Sequence, residues 1–292
     1  MPKIKDLIIS LRPKQWIKNF FVFVPMIFSA KILSGYIILY GFFTFVFFCL
    51  LSSAIYLVND VIDRKQDLLH PIKSKRPVAQ GKISVGLALV ISLFLVLFSF
   101  AGMFIFGNLA LIITAIAYVI LNLLYNLALK KVVILDVITV ALGFELRVWA
   151  GSVIIGIQPS AWLQVFTFLL ALFISFAKRR EEILSLKKSA IKHRQVLSGY
   201  RLIFIDQLIA ICGGIIILAY ALYTLSVEII RGAKGHLMIY TVPFVVYGVF
   251  RYLYLMYMHK EGGDPAEIVF SDKPLLFDLF LWLVSTCVIL YL

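Results

Sequence analysis

Four oxygen-bearing side chains, Asn59, Asp60, Asp63 and Asp67, lie close together in the segment Tyr56-Leu-Val-Asn-Asp-Val-Ile-Asp-Arg-Lys-Gln-Asp67. On an α-helix, steps of three and four residues place side chains on one face, each a turn above the last. Carboxylates crowded in this way repel one another unless a cation lies among them. They are hard oxygen donors of the kind that suits Mg²⁺, which keeps part of its water and bridges to phosphate oxygens. An EF-hand calcium site would need ligands spread through a loop around a central glycine, and that pattern is absent. A solvated acidic helix end is the plainer alternative, but aspartates at a helix C-terminus oppose the macrodipole. The spacing therefore predicts a Mg²⁺ site with Asn59, Asp60, Asp63 and Asp67 as ligands, and chemistry resting on Asp60 and Asp63.

Basic groups stand beside it. His70-Pro-Ile-Lys-Ser-Lys-Arg-Pro77 is broken by two prolines and brings Lys73, Lys75 and Arg76. Lys73, Lys75 and Arg76 suit phosphate groups that the metal leaves uncovered, Arg by a two-pronged contact, and a plain positive-inside loop is the equal alternative. A second polar cluster, Tyr125, Asn126, Lys130 and Asp136, leads into an apolar run that also holds Glu145 and Arg147. Ionisable residues in such a run face a bundle interior and mark function. Glu145 and Arg147 are two apart and do not share a helical face, so Arg147 is the candidate for an anionic ligand and the role of Glu145 stays open. Lys178, Arg179 and Arg180 close another apolar run, where the helix dipole favours cations. The four histidines, His70, His193, His236 and His259, all fall in polar loops. No Ser-His-Asp or Cys-His arrangement is evident, so the expected chemistry needs charge stabilisation more than a general base.

The chain that must position these groups has 292 residues, 62% of them hydrophobic, and a mean hydropathy of +1.01. A soluble domain is nearer half apolar. Crossing about 30 Å of hydrocarbon takes roughly 20 apolar residues, and such stretches recur at 18–35, 36–58, 83–104, 108–129, 136–157, 160–177, 206–226, 237–258 and 274–292. Runs such as Ile91 to Phe106 do not alternate, which excludes a transmembrane barrel. Lipid-exposed backbone must satisfy its own hydrogen bonds, so an all-α integral membrane bundle of nine transmembrane helices follows, one polytopic domain over 1–292. The first span is the least regular, with Pro25 inside it and Asn19 near its start.

Charge gives the direction. All of the 28 Lys and Arg residues except Lys31, Arg147, Arg231 and Lys234 fall on one side of this alternation. Basic loops stay inside, so the N-terminus and the candidate-site loops are expected to be cytoplasmic, in a multi-pass protein of the cell membrane. The formal charge of +13 is then a topology signal and a match for anionic headgroups. No nucleic-acid motif accompanies it. Cys49, Cys212 and Cys287 all sit in apolar runs without ligand spacing and read as buried thiols. The basic start lacks the cleavage pattern of a removable signal peptide.

These residues resemble the UbiA prenyltransferase superfamily, with nine transmembrane helices around a central cavity and an NDxxDxxxD motif after the second. The resemblance extends over nearly the whole chain. Arg12-Pro-Lys-Gln-Trp-Ile-Lys-Asn19, Tyr56 to Asp63, His70 to Pro77, Gly143-Phe-Glu-Leu-Arg147 and Glu261-Gly-Gly-Asp-Pro-Ala-Glu267 look like its decaprenyl-phosphate phosphoribosyltransferase branch. That branch implies transfer of 5-phosphoribose from 5-phosphoribosyl 1-diphosphate to a polyprenyl phosphate, with release of diphosphate, for cell-envelope polysaccharide precursors. It implies Mg²⁺ on Asn59, Asp60, Asp63 and Asp67. Lys18, Tyr56 and Lys73 are implied for the donor. Lys130, Asp136, Arg147, Lys178 and Arg179 are further candidates for the donor 5-phosphate or the lipid phosphate. The resemblance is compatible with a homo-oligomer.

One departure bears on the donor. Prenylating members carry a second, DxxxD-like motif after the fourth helix, whereas here Asp136 is followed at the matching step by Val140. That argues against the alternative of an aromatic prenyltransferase using a polyprenyl diphosphate in a quinone or haem pathway. A transporter would place its carboxylates at midplane helix breaks rather than at a helix end.

Overall fold

In a computed structural model the described residues are 3–29, 34–69, 72–186, 195–258 and 271–291, and they contain helices and turns but no strand. Eight helices among them are long and apolar enough to cross a membrane. The chain divides into two compact units, Met1–Pro159 and Ser160–Leu292.

The first unit runs α1 (Ile4–Leu11), a 3₁₀ segment (Pro13–Phe23), α2 (Val24–Phe28), α3 (Gly35–Ile62), α4 (Arg64–Leu69), α5 (Val85–Phe106), α6 (Leu109–Leu127) and α7 (Leu135–Ile154). Its packing follows the membrane pattern. On α5 the large apolar residues Val90, Leu93, Phe94 and Leu97 point outward, while Ala88, Ser92 and Ser99 are buried. Small residues let two helices approach, and hydroxyls bond across the contact. Ser92 Oγ donates to the Ala54 carbonyl of α3 at 3.0 Å, and Ser99 Oγ to its own-turn Leu95 carbonyl at 2.7 Å. The ends are capped by short polar side chains. Ser84 accepts from the Leu87 N–H at 3.3 Å and Asn108 from the Leu111 N–H at 2.8 Å. Asn108 also donates to the Val153 carbonyl, tying the start of α6 to the end of α7.

The first expected span, 18–35, differs from the structure. Its described part is the 3₁₀ segment followed by the five-residue α2. Pro25 lacks an N–H and its ring crowds the carbonyl four residues back, which disfavours a continuous α-helix. The segment is nonetheless packed inward, with Asn19, Val22 and Met26 all fully buried. Gly151 of α7 makes room for it, since a Cβ there would strike the Val22 carbonyl. Val22 and Met26 join Phe47, Phe48 and Leu51 of α3 in the core of this unit. A smaller cluster of Leu57, Val78, Ile83 and Ala88 receives Leu7 and Leu11 from α1 and packs the 72–83 loop down near the end of α3.

The second unit contains α8 (Ala161–Leu186), α9 (Leu202–Arg231), a 3₁₀ segment (Gly232–Thr241), α10 (Val242–Met258) and α11 (Lys273–Tyr291). Buried Tyr220 holds it together. Its hydroxyl lies 2.7 Å from Thr241 Oγ1 and accepts from Trp282 Nε1 at 2.8 Å. At helix ends Arg180 pairs with Asp206 at 2.7 Å and Arg251 with Asp272 at 2.8 Å. Asp272 also accepts from the Leu275 N–H and so caps α11.

Candidate active site

α3 ends at Ile62, Asp63 occupies a turn, and α4 carries Asp67. The helical step survives this break. The Asp63 N–H donates to the Asn59 carbonyl at 2.9 Å and the Asp67 N–H to the Asp63 carbonyl at 2.8 Å. Asn59, Asp63 and Asp67 therefore stay one turn apart, as their spacing predicts.

Each carboxylate meets a protein cation. Asp60, only 1% exposed, accepts from Arg12 Nη2 and from Arg76 Nη1, both on Oδ1, the latter at 3.1 Å. The same Arg76 nitrogen lies 2.7 Å from Asp67 Oδ2, so one guanidinium bridges two buried acids. Lys130 Nζ pairs with Asp63 Oδ1. A buried charge without a partner would cost several kcal/mol, of the order of 3–5. Three acids in a largely apolar fold are thus each paired with a basic residue, and the three bases come from three other segments.

Those segments hold the cations by local chemistry. Arg76 opens a tight loop in which Val78 and Ala79 are buried and Gly81 takes a left-handed conformation (φ 75). Lys130 sits in the 3₁₀ turn Leu129–Lys131 between α6 and α7. Arg12 ends α1 in a left-handed conformation (φ 52), where the following Pro13 disfavours another helical residue. Its guanidinium lies over the Tyr56 ring, 4.9 Å from the centroid. The chain just after it is pinned to α3. Trp16 Nε1 donates to Ser53 Oγ at 2.9 Å and Ser53 Oγ donates to the Leu11 carbonyl at 2.8 Å. Burial pulls the Arg12 pKa below its ordinary value, and the charge of Asp60 works against that fall. Sequence reasoning missed Arg12, which reads there as one more positive-inside residue. The signal available was its place before Pro13 in the quoted Arg12 to Asn19 segment.

The remaining candidates distribute unequally. Tyr56 belongs to the site through its ring under Arg12. Lys73 and Lys18 are half-buried, Lys73 in the 3₁₀ turn just before Arg76 and Lys18 on the N-terminal 3₁₀ segment. Asp136 is fully buried in the first turn of α7, the end of the dipole that favours an acid. Arg147 lies deep in α7, 5% exposed, and three of its N–H groups are taken. They go to Asn19 Oδ1 at 2.7 Å, the Gly143 carbonyl at 2.7 Å and the Tyr118 hydroxyl at 2.8 Å. Glu145 is not among these partners; it is buried and its Oε1 has no hydrogen bond. Lys178 and Arg179 belong to the second unit, where Arg179 is buried and pairs with Glu182 at 2.9 Å. The Glu261 to Glu267 motif and His70-Pro71 lie outside the described residues.

The donor set can be tested against Mg²⁺. Among the described residues no three acidic, histidine or cysteine side chains gather as a ready metal site. The guanidinium and ammonium groups hold the carboxylate oxygens instead. The chemistry of the set still fits, because it offers only hard oxygen donors and the basic groups already stand where positive charge is wanted. Asn59, Asp60, Asp63 and Asp67 are the residues that would hold the ion.

The profile of the UbiA prenyltransferase family matches residues 20–285. The chain belongs to this family. Among curated relatives, the decaprenyl-phosphate phosphoribosyltransferase of Corynebacterium glutamicum is 32% identical over 98% of this chain and 87% of its own length. The protein of the same name from Mycolicibacterium smegmatis is 28% identical over 96% of this chain and 91% of its own. Among solved structures, a UbiA homolog from Archaeoglobus fulgidus bound to GPP and Mg²⁺ superposes with a TM-score of 0.73, at 20% identity, covering 98% of this chain and all of that one. That likeness establishes a UbiA fold, and with the apolar helices it makes this UbiA protein a multi-pass membrane protein.

Proposed function

We propose that this UbiA-family protein transfers 5-phosphoribose from 5-phosphoribosyl 1-diphosphate to a polyprenyl phosphate of the decaprenyl type, releasing diphosphate. The observation that carries the reading is the convergence of Arg12, Arg76 and Lys130 on Asp60, Asp67 and Asp63. A site with that many cations suits a soluble donor with phosphate at both ends. The names of these relatives support phosphoribosyl transfer and a decaprenyl-phosphate acceptor.

Mg²⁺ held by the Asn59 to Asp67 set supplies positive charge to the diphosphate. The chain's own residues do the rest. Arg76, Lys73 and Lys130 hold donor phosphates by charge-assisted hydrogen bonds. The anomeric C–O bond breaks with its electron pair on diphosphate, through an oxocarbenium-like state, and a phosphate oxygen of the lipid forms the new bond. Fixed cations aimed at the leaving group stabilise the charge as it develops. The attacking phosphate is already anionic, so no general base is needed. The reading places this face in the cytoplasm and the product in cell-envelope precursor synthesis.

Purified protein in detergent, given 5-phosphoribosyl 1-diphosphate and polyprenyl phosphate, should form polyprenyl-phosphoryl-5-phosphoribose and lose that activity with EDTA. Turnover of geranyl diphosphate with an aromatic acid, in place of this reaction, would overturn the assignment.

A further inference from the structure

Asp60 Oδ1 serves two guanidinium groups, and their situations differ. Arg76 has a second acid, Asp67 at 2.7 Å, whereas among the described residues Arg12 forms its ion pair with Asp60 alone and rests on the Tyr56 ring. In exposure the two are alike, 21% for Arg12 and 23% for Arg76 against 1% for Asp60, and both come from outside α3 and α4, the helices that carry the acids.

Both guanidinium groups sit on Oδ1 of Asp60, and a divalent cation on that carboxylate is repelled by both. A metal that takes Asp60 therefore drives them off it, and Arg76 keeps Asp67 while Arg12 is left without an acid partner among the described residues. The freed Arg12 fork then stands beside the metal site, where a diphosphate offers a bidentate acceptor.

We propose that Arg12 is an exchangeable latch, seated on Asp60 in the empty protein and passed to a donor phosphate when a divalent cation takes that carboxylate. This rests on the metal-diphosphate reading of the site and adds a sign to it. Without a phosphate ligand Arg12 competes with the metal; with one bound it cooperates. Linkage requires both effects to appear in binding equilibria, independently of turnover.

The test is Mn²⁺ binding followed by EPR on the full-length protein in detergent, without lipid acceptor. Wild type, Arg12→Gln and Arg12→Lys are compared without phosphate ligand, with inorganic diphosphate, and with 5-phosphoribosyl 1-diphosphate. Arg12→Gln is expected to bind Mn²⁺ about tenfold more tightly than wild type when no phosphate is present, and diphosphate about tenfold more weakly at saturating Mn²⁺. Arg12→Lys, which keeps the charge but not the fork, should fall between. A merely structural Arg12 would weaken both measurements together, and that result, or unchanged Mn²⁺ affinity, overturns the latch. Asp60 retains Arg76 in these variants; should Arg12→Gln still fail to fold, the same comparison on Arg12→Lys decides. If wild type and variants all fail to bind Mn²⁺, the latch and the metal reading fall together. If inorganic diphosphate shows the sign reversal and 5-phosphoribosyl 1-diphosphate does not, the latch stands and the proposed donor falls.

Discussion

Arg147 Nε donates to Asn19 Oδ1 at 2.7 Å, joining α7 to the N-terminal 3₁₀ segment across 128 residues of sequence. Asn19 in turn donates to Ser52 Oγ at 3.3 Å and lies 3.2 Å from Cys49 Sγ, both on α3. The Arg147 guanidinium lies over the rings of Tyr118 and Phe144. A segment that lacks a regular α-helical ladder is thereby fixed to two membrane helices by side chains, and Arg12 at its head is held near Asp60.

Arg147→Met should consequently lower thermal stability. It leaves Asn19 Oδ1 and the Tyr118 hydroxyl without their donors, and the expected loss is about 3 kcal/mol. Differential scanning fluorimetry in detergent should show a drop of several degrees or more. At a temperature where the variant stays folded, its KM values for both substrates should remain near wild type. An unshifted melting curve with a raised KM would instead make Arg147 a substrate contact.

Gly151→Ala and Gly86→Ala form a matched pair. The new methyl at residue 151 meets the Val22 carbonyl, while the one at 86 meets open space in α5. Overpacking against backbone typically costs about 1–3 kcal/mol. Glycine to alanine at an unobstructed helical site stabilises by about 0.5–1 kcal/mol. Melting temperatures should therefore move in opposite directions. Equal shifts would mean the 3₁₀ segment does not pack on α7 as found.

Asp60→Ala and Asp63→Ala should each leave less than about a tenth of wild-type turnover, because losing a ligand to the leaving-group charge removes several kcal/mol of transition-state stabilisation. Asp63→Ala should still insert and purify, whereas Asp60→Ala takes the buried acid from Arg12 and should also melt several degrees lower than wild type. Radiolabelled product extracted with the lipid provides the assay. Rates above that tenth would remove either residue from the site.

Lys73→Ala should raise the KM for 5-phosphoribosyl 1-diphosphate about tenfold, equivalent to ~1.4 kcal/mol for one charge-assisted contact. The KM for polyprenyl phosphate should barely move. Steady-state kinetics with each substrate varied in micelles makes the comparison. An equal effect on both substrates would place Lys73 away from the donor.

Features that depend on neighbours along the chain were legible before any fold was known. Apolar length made a helical membrane protein, because a hydrocarbon slab admits few other solutions for the backbone. Steps of three and four residues are expected to put Asn59, Asp60, Asp63 and Asp67 on one side of a helix end, and the backbone bonds from Asp63 to Asn59 and from Asp67 to Asp63 carry the helical step across the turn. The proline-broken basic loop could be seen beside them. Which cation meets which acid was decided only in three dimensions. Arg12 and Asp60 are 48 residues apart, and Lys130 and Asp63 are 67 apart. In one dimension Arg12 is indistinguishable from the positive-inside signal that surrounds it, and Lys130 shows as a phosphate candidate but not as the partner of Asp63. The partners of Arg147 were hidden for the same reason. The conversion of the expected first span into a 3₁₀ segment was decided there as well. Pro25 weakened the local helix, and buried hydrogen bonds to α3 and α7 supplied partners that a lone apolar stretch facing lipid could not have found.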